Sequence, residues 1–171
     1  YGGDVVKFIG DAMQIYWPVV TDGGPGPKDL KEASFRAAVC SQKIHQQLNG
    51  YPKVHGVQLT MHMGLGAGHV TTLFVGGVFG RWENFCVGDP LRQIGIAEPL
   101  AGHGETVFSP EAWEVLKDHY EASPVKDAQY DDFMVQGQMK AGVAEPNLDE
   151  PPAAALKQMQ MHIGIAKYFI P

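Results

Sequence analysis

Lys7 and Asp11 interrupt a stretch that otherwise reads as apolar sheet. In "GGDVVKFIGDAMQIYW", residues 2–17, Lys7 lies inside a strand-forming run and Asp11 follows a glycine four residues later. A carboxylate there suits a hard divalent cation, and an ammonium suits a phosphate or the ring-nitrogen acceptor of a base. Each residue alone has a plain structural explanation. An aspartate after glycine is ordinary turn chemistry, and a strand lysine can lay its stem along the sheet with its head in water. Together, on so apolar a hairpin, they place an ammonium and a carboxylate on one exposed lip, fit to hold a metal–phosphate complex and read a base.

The remaining candidates carry less. "GLGAGH" (64–69) has dinucleotide-like glycines, but the third-glycine spacing is missing and β-branched "VTTLFV" follows where a helix should start. Strand glycines that admit a close backbone approach account for it better. The 7 histidines, His62 and His69 among them, show no HxH or HExxH spacing, which argues against a metal cluster. Cys40 and Cys86 have no base nearby in sequence and form no CxxC pair. A thiol nucleophile and a disulfide framework are both disfavoured, and a reducing compartment is favoured. Met159, Met161 and Tyr168 read as a helix packing face.

The elements that must position these residues follow from periodicity and punctuation. "DVVKFI" and "AMQIYW" predict a hairpin turning at Gly10-Asp11. "TDGGPGPKD" (21–29) is a loop, and residues 29–48 have helical spacing, with Leu30, Ala33, Ala37, Cys40, Ile44 and Leu48 on or near one face. Residues 57–77 read as two strands, or as one long strand broken near Gly66 and Gly68. A loop around "VFGRWEN" leads to the short apolar segment "FCVG" (85–88). "DPLRQIGIAEPLAG" (89–102) predicts a helix with Asp89 as N-cap and Pro90 first, ending on glycine. "ETVF" is a short strand, "SPEAWEVLKDHY" a Ser-capped helix and "FMVQGQM" an edge strand. "EPNLDEPPAAA" (145–155) reads as a linker before a last amphipathic segment. The opening hairpin breaks strict strand–helix alternation and favours an α+β sheet covered by helices.

Bulk composition sets outer limits. The chain has 171 residues, enough for one domain with a real core, and 44% hydrophobic with 19% charged residues is ordinary globular composition. No apolar run approaches the roughly eighteen residues of a membrane helix. A formal net charge of -6 disfavours duplex nucleic acid as partner. The sequence enters a strand almost at once without an initiator Met, so the expectation is a segment of a longer chain.

The hairpin "VVKFIGDAMQIYW" resembles that of class III nucleotide cyclases, in the version of soluble, bicarbonate-responsive adenylyl cyclases and their bacterial relatives. "LTMHMGLGAGHVTTLFVGG", followed by "NFCVGDPLRQIGIAEPLAGHGETVFSPEAW", is similar to later strands and helices of the same family. The final "IAKYFIP" resembles the connector from a first cyclase half to a second. The likeness runs from residue 2 to about residue 120 and implies a ferredoxin-like α+β fold with helices on one side, its first strand lying upstream. On this basis residues 1–144 form a partial cyclase-homology domain, and 145–171 a linker and helix toward a second domain.

The resemblance also implies a reaction. In such enzymes the 3′-hydroxyl of ATP attacks the α-phosphate in line, giving cyclic AMP and pyrophosphate, with two Mg²⁺ or Mn²⁺ ions held by two carboxylates. Asp11 matches the second carboxylate; the first belongs to the preceding strand. Lys7 matches the base-reading position and favours adenine over guanine, although in a metal-carrying first half it lines the degenerate pocket where related enzymes bind bicarbonate. Other positions depart from the family. The asparagine and arginine expected four and eight residues after Gly88 are Arg92 and Ile96. Phe85 replaces a base-pairing aspartate or threonine, Gly95 a bicarbonate-binding arginine, and His62 a phosphate-binding lysine. The expectation is a first, metal-carrying half, inactive alone, that needs ATP and a second cyclase domain from the same chain or a homodimer. Its rival is a catalytically inactive pseudo-cyclase serving a larger cytoskeletal assembly. A guanylyl cyclase ranks third because of Lys7. The expected location is cytoplasmic, with a cilium or flagellum suggested by family analogy.

Overall fold

The computed structural model describes residues 1–21, 23–24, 26–50 and 60–147. Strands β1 (Asp4–Ile9) and β2 (Ala12–Tyr16) pair antiparallel across a two-residue turn. Gly10 takes a φ of 63° while Asp11 keeps a negative one. A positive φ on the first central residue is the type II′ pattern, whose twist matches that of the strands it joins.

Helix α1 (Leu30–Leu48) starts at Asp29, whose carboxylate accepts from the Glu32 amide at 2.8 Å. Glu32 in turn accepts from the Lys28 amide at 2.8 Å, which fixes the chain just before the cap. The buried residues of α1 are Ala33 to Val39 and, beyond the half-buried Cys40, Ser41; the expected Leu30 and Leu48 lie at exposed ends.

The break expected near Gly66 and Gly68 separates β3 (Met63–Leu65) from β4 (Thr71–Gly76). β4 pairs antiparallel with β5 (Trp82–Val87), which begins three residues before the expected "FCVG". Phe74↔Asn84 and Val75↔Glu83 pairing carries "WEN" into the strand. Helix α2 (Asp89–Leu100) is capped by Gly88, not Asp89. Asp89 instead sits in the first turn, where a carboxylate complements the helix dipole. Strand β6 (Thr106–Phe108) and helix α3 (Pro110–Leu116) follow, the Ser109 hydroxyl accepting from the Ala112 amide as expected. The helix stops at Leu116, and Tyr120 begins a strand absent from the sequence prediction, β7 (Tyr120–Pro124). Last comes β8 (Met134–Met139).

One four-stranded sheet has the order β3-β6-β8-β7, with β3 parallel to β6 and the other pairs antiparallel; β1–β2 and β4–β5 are separate hairpins. β8 was expected at an edge but is interior, because β7 covers its other side. Side chains alternate across β6. Phe108 joins a cluster with Phe35, Ala38 and Val39 of α1 and Ala112 and Leu116 of α3, while Val107 joins Ala97 of α2, Val125 and Phe133. Helices α1 and α3 therefore cover one face, and α2 lies on the other. The α+β class holds, and the expected one-sided helical cover applies to α1 and α3 only. The last amphipathic segment, with Met159, Met161 and Tyr168, lies outside the described residues.

Candidate functional site

The β1–β2 hairpin carries Lys7 on its first strand and Asp11 in its turn. Lys7 stands opposite Gln14 in the ladder, and Asp11 occupies the turn. Both side chains are exposed, and neither makes a hydrogen bond or ion pair among the described residues. Cross-strand partners share a face and alternate residues repeat it, so Lys7, Gln14 and Tyr16 line one side of the hairpin. Phe8, Met13 and Ile15 line the other. At the root, Trp17 packs on the principal core and its indole N–H donates to the Tyr1 carbonyl at 2.9 Å.

Tyr16 ties the two hairpins together. Its hydroxyl is buried beside the Cys86 thiol of β5, outside hydrogen-bonding geometry, and burial pushes the phenol up to about 12. Cys86 Sγ itself lies 3.7 Å from Thr72 Oγ1 and 3.7 Å from Asn84 Oδ1. This contact brings the strand that carries Phe85 beside the strand opposite Lys7.

The other expected site residues do not converge on the hairpin. His62 Nε2 lies 2.6 Å from Glu98 Oε1, at the surface between the start of β3 and α2. Its charge, when present, is therefore answered within the chain. Phe85 is 48% exposed and stands opposite Leu73. Arg92 reaches back to Asp89, Nε to Oδ1 3.4 Å. Gly95 faces open space, and Ile96 packs on the cluster around Ala97 and Val107. A metal fits the described residues only in part. They contain no group of three or more His, Cys, Asp or Glu side chains able to hold an ion. Mg²⁺ commonly takes one or two carboxylates plus substrate phosphates, and Asp11 offers one.

Gln93 is the residue that sequence reasoning missed. It is 2% exposed, and its Oε1 accepts from the Ala67 amide at 2.8 Å and the Ser109 hydroxyl at 2.9 Å. One buried amide thus joins the loop after β3, α2 and the cap of α3. Its only sequence signal was a polar side chain on the apolar face of the 89–102 helix. A cavity of about 220 Å³ lies elsewhere, lined by Gln42, His45, Gln46, Thr106 and Gln138 of α1, β6 and β8. Those elements carry none of the expected site residues.

No family model matches the chain. It is 30% identical over 118 residues to adenylate cyclase type 10 of Mus musculus, a match that covers 67% of this chain and 7% of the mouse protein. The chain belongs to the class III nucleotide cyclase family. Its fold agrees. The guanylate cyclase domain of RhGC from Catenaria anguillulae, solved with GTP, superposes with a TM-score of 0.60 at 20% identity, over 82% of this chain and 73% of that one. The adenylyl cyclase CyaB from P. aeruginosa superposes with a TM-score of 0.56 at 18% identity, over 85% and 76%. In this cyclase-family chain, Lys7 and Asp11 of the hairpin make no side-chain hydrogen bond or ion pair among the described residues, and Phe85 is exposed on β5. His62, Arg92 and Ile96 are each committed to contacts inside the domain. No described helix is long and apolar enough to cross a membrane.

Proposed function

We propose that this domain is one half of an adenylyl cyclase catalytic unit, converting ATP to cyclic AMP and pyrophosphate at an interface with a second cyclase half. The observation that carries this is Asp11, exposed at the tip of a rigid type II′ turn with no side-chain partner among the described residues. A carboxylate so placed breaks no ion pair when it binds a cation. When bound, Mg²⁺ or Mn²⁺ supplies Lewis-acid stabilisation of phosphoryl charge. Asp11 contributes one carboxylate to hold it, and the others come from outside the described residues. Lys7, on the face that adjoins β5, is placed to meet a base or a small anion. The exposed apolar faces support a partner half: Phe8 is 72% exposed, Phe74 68% and Phe79 96%. Cyclic AMP production by the intact protein with Mn²⁺ and ATP tests the proposal. Asp11→Ala is expected to lower kcat by about a hundredfold or more, on the scale of losing one electrostatic contact to the transition state. An unchanged rate removes Asp11 from the mechanism.

A second reading has its own support. The positions that carry cations or an asparagine in active relatives are here an intrahelical pair (Arg92 with Asp89), a core residue (Ile96), an open glycine (Gly95) and a paired histidine (His62 with Glu98). A pseudo-cyclase module within a larger cytoskeletal assembly, in a cilium for example, needs none of them. Calorimetry with ATP–Mg²⁺ separates the two readings, since robust binding by the intact protein argues against a purely structural role.

A further inference from the structure

The chain leaving β8 does not run off into solvent. After the turn at Gly142 (φ 84°), Val143 packs back on the cluster formed by α1, β6 and α3. Glu145 then meets Lys43 of α1, Oε1 to Nζ 2.6 Å, while its other oxygen accepts from the Tyr1 hydroxyl at 3.5 Å. Two residues later the Asn147 carbonyl accepts from Arg36 Nη2 at 3.3 Å. Arg36 is only 5% exposed, and its guanidinium is held by Glu32 Oε1 at 2.6 Å. The other terminal nitrogen, Nη1, lies 3.8 Å from where a Cβ on Gly2 would stand. A buried guanidinium needs acceptors for several N–H groups, and here the exit chain's backbone provides one of them.

We infer that residues 140–147 form a strap that fastens the exit of the domain, across α1, to the root of the β1–β2 hairpin. Two routes make the connection: Glu145 to Tyr1, whose carbonyl holds Trp17, and Asn147 to Arg36, which abuts Gly2. Tension or displacement in the chain beyond Asn147 is thereby passed to the hairpin. The effect on Lys7 and Asp11 rests on the function proposed above; the mechanical coupling does not.

Hydrogen exchange on the full chain tests the coupling without any activity assay. Lys43 and Glu145 are 37% and 45% exposed, so reversing them leaves the core intact. Lys43→Glu and Glu145→Lys are each expected to speed amide exchange by about threefold, both in residues 143–147 and in residues 4–16. The double reversal restores residues 143–147, where it rebuilds the ion pair. Faster exchange in 143–147 alone, no change in either region, or failure of the double reversal to restore 143–147 overturns the strap. Arg36→Lys, which keeps the charge but cannot span Glu32 and Asn147 together, is expected to loosen the same two regions. An inactive Asp11→Ala protein with wild-type exchange leaves the coupling standing, and a cyclase whose hairpin ignores these reversals refutes the strap alone.

Discussion

Two histidines carry a consequence for stability. His45 Nε2 lies 3.0 Å from Thr106 Oγ1, and His119 stacks on Phe35 with ring centroids 4.3 Å apart. Both are pushed below the ordinary histidine value of 6.5, in each case mainly by burial; for His119 the nearby Lys31 adds to the depression and Asp118 opposes it. The unfolded chain therefore takes up protons first. Stability from these groups is level above about pH 6.5 and falls as the pH drops through 6.5 toward their lower folded values. Urea midpoints measured from roughly pH 7.5 down to 5.5 are expected to decline, and His119→Phe, which keeps the ring stack, should flatten the slope. An equally steep decline in that variant means His119 is not a source of it. At this scale the sequence was informative where chemistry is local. Asp11 after Gly10 announced its own turn, and the turn exposes it. Gln93 was opaque because its two partners, Ala67 and Ser109, come from separate parts of the chain, and nothing in "LRQIG" says which hydrogen bonds await it.

Between elements, glycine decides how closely α2 approaches the sheet. A Cβ on Gly64 would lie 2.6 Å from the Glu98 nitrogen and 3.1 Å from Ala97 Cβ. One on Gly66 would lie 2.8 Å from both Gln93 Oε1 and the Pro90 carbonyl oxygen. Backbone cannot move aside as a side-chain end can, so Gly64→Ala should cost about 1–3 kcal/mol as overpacking. Gly95 in the same helix faces open space, and Gly95→Ala should gain about 0.5–1 kcal/mol from helix propensity. Denaturant midpoints of the two variants should shift in opposite directions; a shift of the same sign in both refutes the close-approach account. The strand glycines of "GLGAGH" were thus legible as a place for close approach, though not as the seat of α2. Sheet order was less legible. "FMVQGQM" is recognisably a strand, but its interior place depends on β7, whose "YEASP" has no clean alternation and ends on proline. Pairing partners far apart in sequence leave no local trace of who sits at the edge.

Across the molecule, the two separate hairpins carry large exposed apolar side chains. On the β4–β5 hairpin Phe74 is 68% exposed, Val78 69%, Phe79 96% and Trp82 58%; on β1–β2 Phe8 is 72% and Ile9 57%. The Tyr16–Cys86 contact sets these hairpins side by side. Apolar patches of this extent mark interaction sites. Phe79 sharpens the point, because it also holds a left-handed backbone, φ 55° and ψ 26°, at the hairpin's tip. A bulky residue in that conformation costs about 1–2 kcal/mol relative to a relaxed one. Neither the strain nor the exposed ring benefits the isolated domain, so both make sense against a partner. The proposed second cyclase half is such a partner, and under that proposal a half carrying the asparagine and arginine supplies what Arg92 and Ile96 do not. Phe79→Gly separates the two roles of this residue. It should stabilise the isolated domain by about 1 kcal/mol, because glycine adopts a positive φ without strain. The same change should weaken association with a second half that carries the asparagine and arginine by about 2 kcal/mol, roughly thirtyfold in Kd, the scale of an aromatic anchor. Sedimentation of the mixed halves together with urea unfolding of the domain alone reads both effects. Greater stability with undiminished association would mean that the tip meets no cyclase partner.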